Sequence, residues 1–344
     1  MTVGRVVCGP SMATANPEKD RIAPVAIRDF RPEDYPALVA INNASFPDHP
    51  ETEGEWRYED EHFDRATYVQ RRLVAVDRAA GDPVGFSDYS HMPWSFDPRR
   101  FQAWINVHPN AQRRGVGGAL HDRLLEEMRE RKATAVKTSV RESMTDSVAW
   151  VQRRGFREVS RHWESRLDLQ AFDPATFAKY ANVPKGLRIV TLKDELAEDP
   201  DRLRGVYEMG NAIGPDVPRT DPYTAPSFEM WRDMVLGPWS FPEAFFLGKD
   251  ADLYVGQSDL ARSESQPDVL YTGFTGVRRE YRGRGVAWAL KLAALSLAKA
   301  RGYGEVRTWN STLNAPMLGI NVKLGFVKQP AWIQFEKDLT GGGG

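Results

Sequence analysis

The sequence predicts an α+β protein built from two similar halves in tandem. Three observations carry this expectation. At 344 residues the chain is long for a single core and fits two domains of about 150 residues each. The strings VHPNAQRRGVGGAL (107–120) and VRREYRGRGVAWAL (277–290) keep one frame at an offset of 170 residues, 277 − 107. Segments of strand period and helix period also run in the same order in both halves. The offset recurs in Gly155-Phe156 against Gly325-Phe326 and in Asp168-Leu169 against Asp338-Leu339, which marks an internal duplication.

The first half is expected at 25–169. VAIRDFR (25–31) reads as a strand and PEDYPALVAINNASF as a helix broken near Pro47. LVAVD (73–77) and PVGFSDYS (83–90) make a hairpin around the turn AAGD, and FQAWINV (101–107) is a more buried strand. After the glycine-rich turn, Val116, Leu120, Leu124 and Met128 recur every four residues and define one helix face. AVKTSV (135–140) is a strand, a short helix stops at Gly155, and HWESRLDL (162–169) closes the unit. Residues 170–186 carry two prolines without periodicity and are expected to link the halves.

The second half, 187–340, repeats this order. It has a strand at 187–192, helices around 203–213 and 228–235, and strands in AFFLGKD, LYVGQS and VLYTGFTGV. A helix through Val286, Leu290, Ala294 and Leu297 follows, then strand 305–310, helix 315–324 and strand 332–339. Residues 1–24 are expected to be a flexible leader and 341–344 a glycine tail.

Forty-six basic against 47 acidic residues give a net charge of −1, so no global field recruits nucleic acid or an anionic membrane. No window approaches the apolar length of a membrane span, and the leader lacks the apolar run of a secretory signal. Cys8 is the sole cysteine, which rules out disulfides within the chain and makes the cytoplasm the expected setting. The six histidines all fall in the first half and show no ligand spacing, so no metal is expected.

The chemistry is expected at the two glycine turns. A strand that feeds a glycine-rich turn and then a helix presents free N–H groups and a positive dipole end, which suit a pyrophosphate. In both halves a Gly-Phe pair follows the central glycine by 40 residues. With these features the chain resembles the GNAT superfamily of N-acetyltransferases. Gln112, Arg114, Gly115 and Gly117 match its pyrophosphate loop in the first half, as do Arg282, Gly285 and Ala287 in the second.

The resemblance implies, in each half, a mixed, mostly antiparallel twisted sheet flanked by helices, with a fourth strand that bulges and splays from the fifth. It implies acetyl-CoA as acyl donor, held by Val107 and Gln112, Arg113, Arg114, Gly115, Val116 and Gly117 in the first half. In the second half it implies Thr275, Val277, Arg282, Gly283, Arg284, Gly285, Val286 and Ala287, with Asn310 and Asn314 near the cofactor. Gly276 is expected to host the bulge. A neutral amine then attacks the thioester directly, with backbone N–H groups stabilising the oxyanion.

The second half is favoured as catalytic, because Val140 and Met144 stand in the first half where Asn310 and Asn314 stand in the second. Asn314 also reads as a helix cap ahead of Pro316, a role compatible with cofactor contact. Where the family often carries a tyrosine that protonates the leaving thiolate, this chain has Val151 and Asn321. Asp216 and Asp221, in a loop where the family builds its acceptor pocket, are read either as a seat for a cationic amine or as solvated turn carboxylates, and Glu336 as a weaker candidate. Trp288 and Trp309 flank the second site.

The function expected is acetyl transfer to a primary amine of a small molecule or peptide. The alternative is an acyl-CoA-binding or sensing protein without turnover, and the first half is read as either a silent binder or a scaffold. An RNA-binding patch at the Arg-Gly loops is disfavoured by the near-neutral charge.

Overall fold

The computed structural model describes residues 25–341; the expected leader with Cys8, and the last three glycines, lie outside them. The first half runs β1 (Val25–Asp29), α1 (Tyr35–Ser45), α2 (Glu53–His62), β2 (Gln70–Asp77), β3 (Pro83–Ser90), β4 (Arg100–Val107), α3 (Val116–Glu130), β5 (Ala135–Arg141), α4 (Thr145–Arg153) and β6 (Arg157–Asp168). The second half runs β7 (Leu187–Thr191), α5 (Leu192–Glu198), α6 (Arg202–Ile213), α7 (Phe228–Val235), β8 (Phe245–Asp250), β9 (Leu253–Arg262) and β10 (Val269–Val277). It ends with α8 (Val286–Ala300), β11 (Glu305–Ser311), α9 (Ala315–Leu324), β12 (Val327–Lys328) and β13 (Trp332–Asp338).

All strands join one sheet whose main path is β1-β2-β3-β4-β5-β13-β6-β11-β10-β9-β8-β7. The strand expected to close the first half therefore lies in the sheet of the second. β6 pairs with β11 from Asp168↔Glu305 to His162↔Ser311, and β13 pairs with β5 from Trp332↔Arg141 to Asp338↔Ala135. The cores follow the exchange. Ile333 and Phe335 are buried with Tyr89, Phe101, Leu124 and Met128 of the first half, and Leu167 and Leu169 with Leu292, Leu295 and Phe326 of the second. Apolar alternation cannot report this, because both closing strands place their buried apolar residues on the same alternate positions, and that periodicity marks a face rather than a partner.

The repeated Gly-Phe pair is a helix stop. Gly155 and Gly325 adopt φ of 82° and 95°, while the N–H of Phe156 reaches Val151 O and that of Phe326 reaches Asn321 O at 3.2 and 3.0 Å. These bonds over five residues close Schellman turns, and the buried phenylalanines anchor them. Helix α2 does not figure in the expected elements because its sequence, EGEWRYEDEH, is mostly charged. Its start is nonetheless coded by a capping box, with Glu55 N–H on Thr52 Oγ1 at 3.1 Å and Thr52 N–H on Glu55 Oε2 at 2.8 Å. The 170–186 link contains a 3₁₀ turn at Pro174–Tyr180 and docks on α8, where Lys299 Nζ donates to Leu169 O at 2.9 Å and Tyr180 stacks on Trp288 at 4.2 Å. Trp288 thus packs against the link.

Candidate active site

Each glycine loop is a short 3₁₀ turn followed by a left-handed glycine at the helix N-cap: Gly115, φ 82°, before α3 and Gly285, φ 84°, before α8. A second left-handed residue precedes each by two, Arg113 at φ 62° and Gly283 at φ 72°. The same backbone is thus strained in the first loop and relaxed by glycine in the second. Gln112 Nε2 donates to Val107 O at 3.0 Å, and Arg282 Nε does the same to Val277 O at 2.8 Å. These two side chains tie the loop back to its strand.

Among the described residues, the N–H groups of 113–118 and 283–288 have no protein acceptor. A Cβ on Gly283 or Gly285 would meet nothing within 4 Å. A fan of unpaired N–H groups at a helix start, beside open space, fits a pyrophosphate. In the first half, however, the ring of Trp150 would lie 3.7 Å from a Cβ on Gly117, and Arg113 pairs with Asp146 at 3.5 Å. Ile320 and Gly283 are the counterparts in the second half.

Both fourth strands splay. β4 pairs with β5 only at Arg100–Gln102, and β10 with β11 only at Val269–Tyr271. The bulge is confined to the second half and sits at Gly273-Phe274, where the β9 register jumps from Thr272↔Leu260 to Thr275↔Ser258. Gly276 stays in register with Gln257, which corrects its expected role. It is small because a Cβ there would stand 2.7 Å from Ile213 and the Phe274 ring. In the first half the β3–β4 register is continuous.

The predicted polar residues do not converge. Asp216 is held by Arg279, and by Arg282 Nη2 at 2.6 Å, and these guanidiniums, Arg279 foremost, hold its carboxyl down to about 2. It braces the second loop. Asp221 reaches across to the first half, pairing with Lys137 and with Arg100 at 3.0 Å, and Glu336 joins the same cluster, 2.6 Å from Arg100. Asn314 Oδ1 caps Met317 N–H at 3.3 Å, as expected of a helix cap. Asn321 is 1% exposed and donates to Asn310 Oδ1 at 2.6 Å, so it steadies Asn310 from behind. Two buried oxygens in this half, Asn321 Oδ1 and Thr272 Oγ1, have no partner among the described residues.

Two cavities lie where the strands part. One, of about 150 Å³, sits at the start of the β4–β5 splay and includes Arg100, Gln102, Lys137 and Asp221. The ion pairs just described cross it. The other, of about 620 Å³, reaches the start of the β10–β11 splay at Tyr271 and Trp309, whose rings stack at 5.6 Å and 9°. Its opposite wall comes from the first half, with Glu51, Glu55 and Glu59 on or beside α2, and with Trp56 and Trp104. Desolvation, with repulsion from Glu51, Asp60 and Glu55, pushes the Glu59 carboxyl up to about 7. Desolvation at the cavity wall also raises Glu51, which accepts from Trp56 Nε1 at 2.6 Å and Asn42 Nδ2 at 2.9 Å.

Sequence reasoning missed these carboxylates, since α2 itself was not expected. Their one legible signal is the spacing of Glu51, Glu55 and Glu59 at four-residue intervals. Among the described residues no group of three or more His, Cys, Asp or Glu side chains is placed to hold a metal ion, and no helix is long and apolar enough to cross a membrane.

Comparison with known proteins agrees with this architecture. The chain is 25% identical over 240 residues to a mycothiol acetyltransferase of Catenulispora acidiphila, covering 68% of this chain and 71% of that one. It is 25% identical over 265 residues to a mycothiol acetyltransferase of Clavibacter michiganensis, covering 77% and 80%. In fold it is similar to a tandem GNAT protein from the clavulanic acid biosynthesis pathway, with TM-score 0.72, 18% identity and coverage of 92% and 98%. It is likewise similar to a GCN5-related N-acetyltransferase from Sphaerobacter thermophilus, with TM-score 0.67, 22% identity and coverage of 91% and 95%. The model of the acetyltransferase (GNAT) family matches residues 35–156 and 212–326, more than half of the chain and once in each half. The chain therefore belongs to the acetyltransferase (GNAT) family, with two GNAT units in tandem, and is an acetyltransferase.

Proposed function

We propose that the second half transfers an acetyl group from acetyl-CoA to the primary amine of a small cationic molecule seated in the cavity between the halves. The observation that carries this reading is the 620 Å³ cavity between the halves, lined by Tyr271 and Trp309 at the start of the β10–β11 splay and, from the first half, by Trp104 and Asn106 on the splayed part of β4. A cavity of that size accommodates a drug-sized ligand. Aromatic walls and carboxylates favour an ammonium group through cation–π and ionic attraction. The mycothiol acetyltransferases among its relatives point in the same direction, to a small-molecule acceptor rather than a peptide.

In this reading the N–H groups of 283–288 hold the pyrophosphate, and the β10 backbone near Thr275 faces the thioester. The ammonium loses its proton, and Glu59 is the group in the cavity suited to accept it. The amine nitrogen attacks the carbonyl carbon, an oxyanion forms, the C–S bond breaks as the oxyanion collapses with the electron pair leaving on sulfur, and the proton shed by the new amide nitrogen passes to water or to the departed thiolate. A thiol with a pKa of about 8.5 departs without obligatory protonation, so the lack of a tyrosine at Asn321 does not block the step.

The test is calorimetry with acetyl-CoA, together with release of free coenzyme A in the presence of a panel of primary amines, on the parent, Gly115→Asp and Gly285→Asp. The expected result is amine-dependent release abolished by Gly285→Asp and retained in Gly115→Asp. Binding of acetyl-CoA without amine-dependent release from any panel member favours the non-catalytic alternative. Loss of release with Gly115→Asp alone moves the chemistry to the first half.

A further inference from the structure

We propose that Asp259 is a positioning residue that sets the β10 bulge and so aims the backbone of the splayed strand at the thioester, an inference that rests on the second half being the acetyl-transferring one. Asp259 lies on β9 opposite the bulge. Its Oδ1 accepts the N–H of Phe274 at 3.0 Å and is steadied by Gln257 Nε2 at 3.1 Å. Its Oδ2 fills the space where a side chain on residue 273 would begin, so only glycine is compatible there. The carboxylate thus takes the place of a side chain on the neighbouring strand and holds the extra residue of the bulge in a fixed orientation.

The first half supplies the comparison. There the register places Asp88 at the position of Asp259, opposite Trp104 in an unbroken β3–β4 ladder. Arg72 draws that carboxylate away, with Nε at 2.8 Å and Nη2 at 2.7 Å. Among the described residues no arginine pairs with Asp259. Lys291 on α8 is the charged group that acts on it, and desolvation raises the carboxyl to about 6 while lowering the lysine to about 8. The same fold therefore runs straight where the aspartate has an arginine and bulges where it has a glycine and a backbone N–H. A bulge rotates the following peptide units, and Thr275 and Val277 lie immediately after this one.

The test compares the full-length parent with Asp259→Leu, Asp259→Asn and Gly273→Ala, each checked for a cooperative melt. Three readouts are taken: hydrogen exchange at the Phe274 amide, calorimetry with acetyl-CoA, and turnover with tryptamine as probe amine. We expect Asp259→Leu and Gly273→Ala to speed Phe274 exchange at least tenfold and lower kcat at least tenfold, with the acetyl-CoA Kd within threefold of the parent. Asp259→Asn should restore protection and most of kcat, because a carboxamide oxygen accepts the same N–H. Phe274 exchange unchanged in folded Asp259→Leu overturns the inference, and so does a tenfold loss of acetyl-CoA affinity that accounts for the whole effect. Absence of turnover in the parent counts against the transfer reading alone, because the exchange readout still decides the role of Asp259.

Discussion

Arg282 Nη2 donates to Asp216 Oδ2 at 2.6 Å, which joins the second glycine loop to the segment after α6. Arg279 grips the same carboxylate, so Asp216 neutralises two guanidiniums beside the N–H fan. Asp216→Asn is expected to leave the pH profile of kcat unchanged, because a carboxyl held at about 2 does not titrate in the working range. It should tighten acetyl-CoA binding a few-fold at low salt and lose that gain at high salt, as measured by calorimetry in two buffers.

The Asp221–Lys137 pair joins the halves. Lys137 is 7% exposed, so Asp221→Ala leaves a buried ammonium with a poorer set of partners. The expected cost is about 1–3 kcal/mol, seen as a lower Tm, with acetyl-CoA affinity within twofold of the parent.

Glu59 gives a pH dependence with a definite sign. Its folded pKa of about 7 lies above its unfolded value, so the folded state holds the proton more tightly and stability falls as pH rises from the unfolded pKa through 7. Glu59→Gln removes that penalty. Its Tm should exceed the parent's at pH 8 and approach it at pH 5. The same substitution should flatten the rise of kcat/KM for the amine between pH 6 and pH 8.

Phe335, fully buried, belongs to the second half in sequence and to the first half's core in space. Phe335→Ala is expected to cost about 3–5 kcal/mol. Because β13 lies between β5 and β6, urea unfolding should show one transition shifted to lower denaturant by fluorescence and circular dichroism alike. Two separated transitions, with only one displaced, would contradict the energetic coupling that the exchanged strands imply.

The cost of the first loop's strain is also measurable. Arg113 occupies φ 62°, where the second half carries glycine. Arg113→Gly is expected to raise Tm slightly or leave it unchanged, and the reverse change, Gly283→Arg, to lower it by the equivalent of about 1 kcal/mol.

The sequence by itself determined the local architecture. Gly115, Gly285, Gly155 and Gly325 each stand where a left-handed turn requires them, and Asn314 caps the helix its spacing indicated, because these effects act over one or two turns of chain. The 170-residue repeat determined that there are two copies of one fold. Only the tertiary structure decided which closing strand completes which sheet, since alternation in β6 and β13 marks a buried face and not the neighbour that covers it. It also separated Asp216 from Asp221, set Glu51, Glu55 and Glu59 across a cavity from Tyr271 and Trp309, and turned Asp259 toward a backbone N–H while Asp88 met an arginine. Contacts of that kind depend on residues far apart in the chain, and their energies arise only once the two halves have packed together.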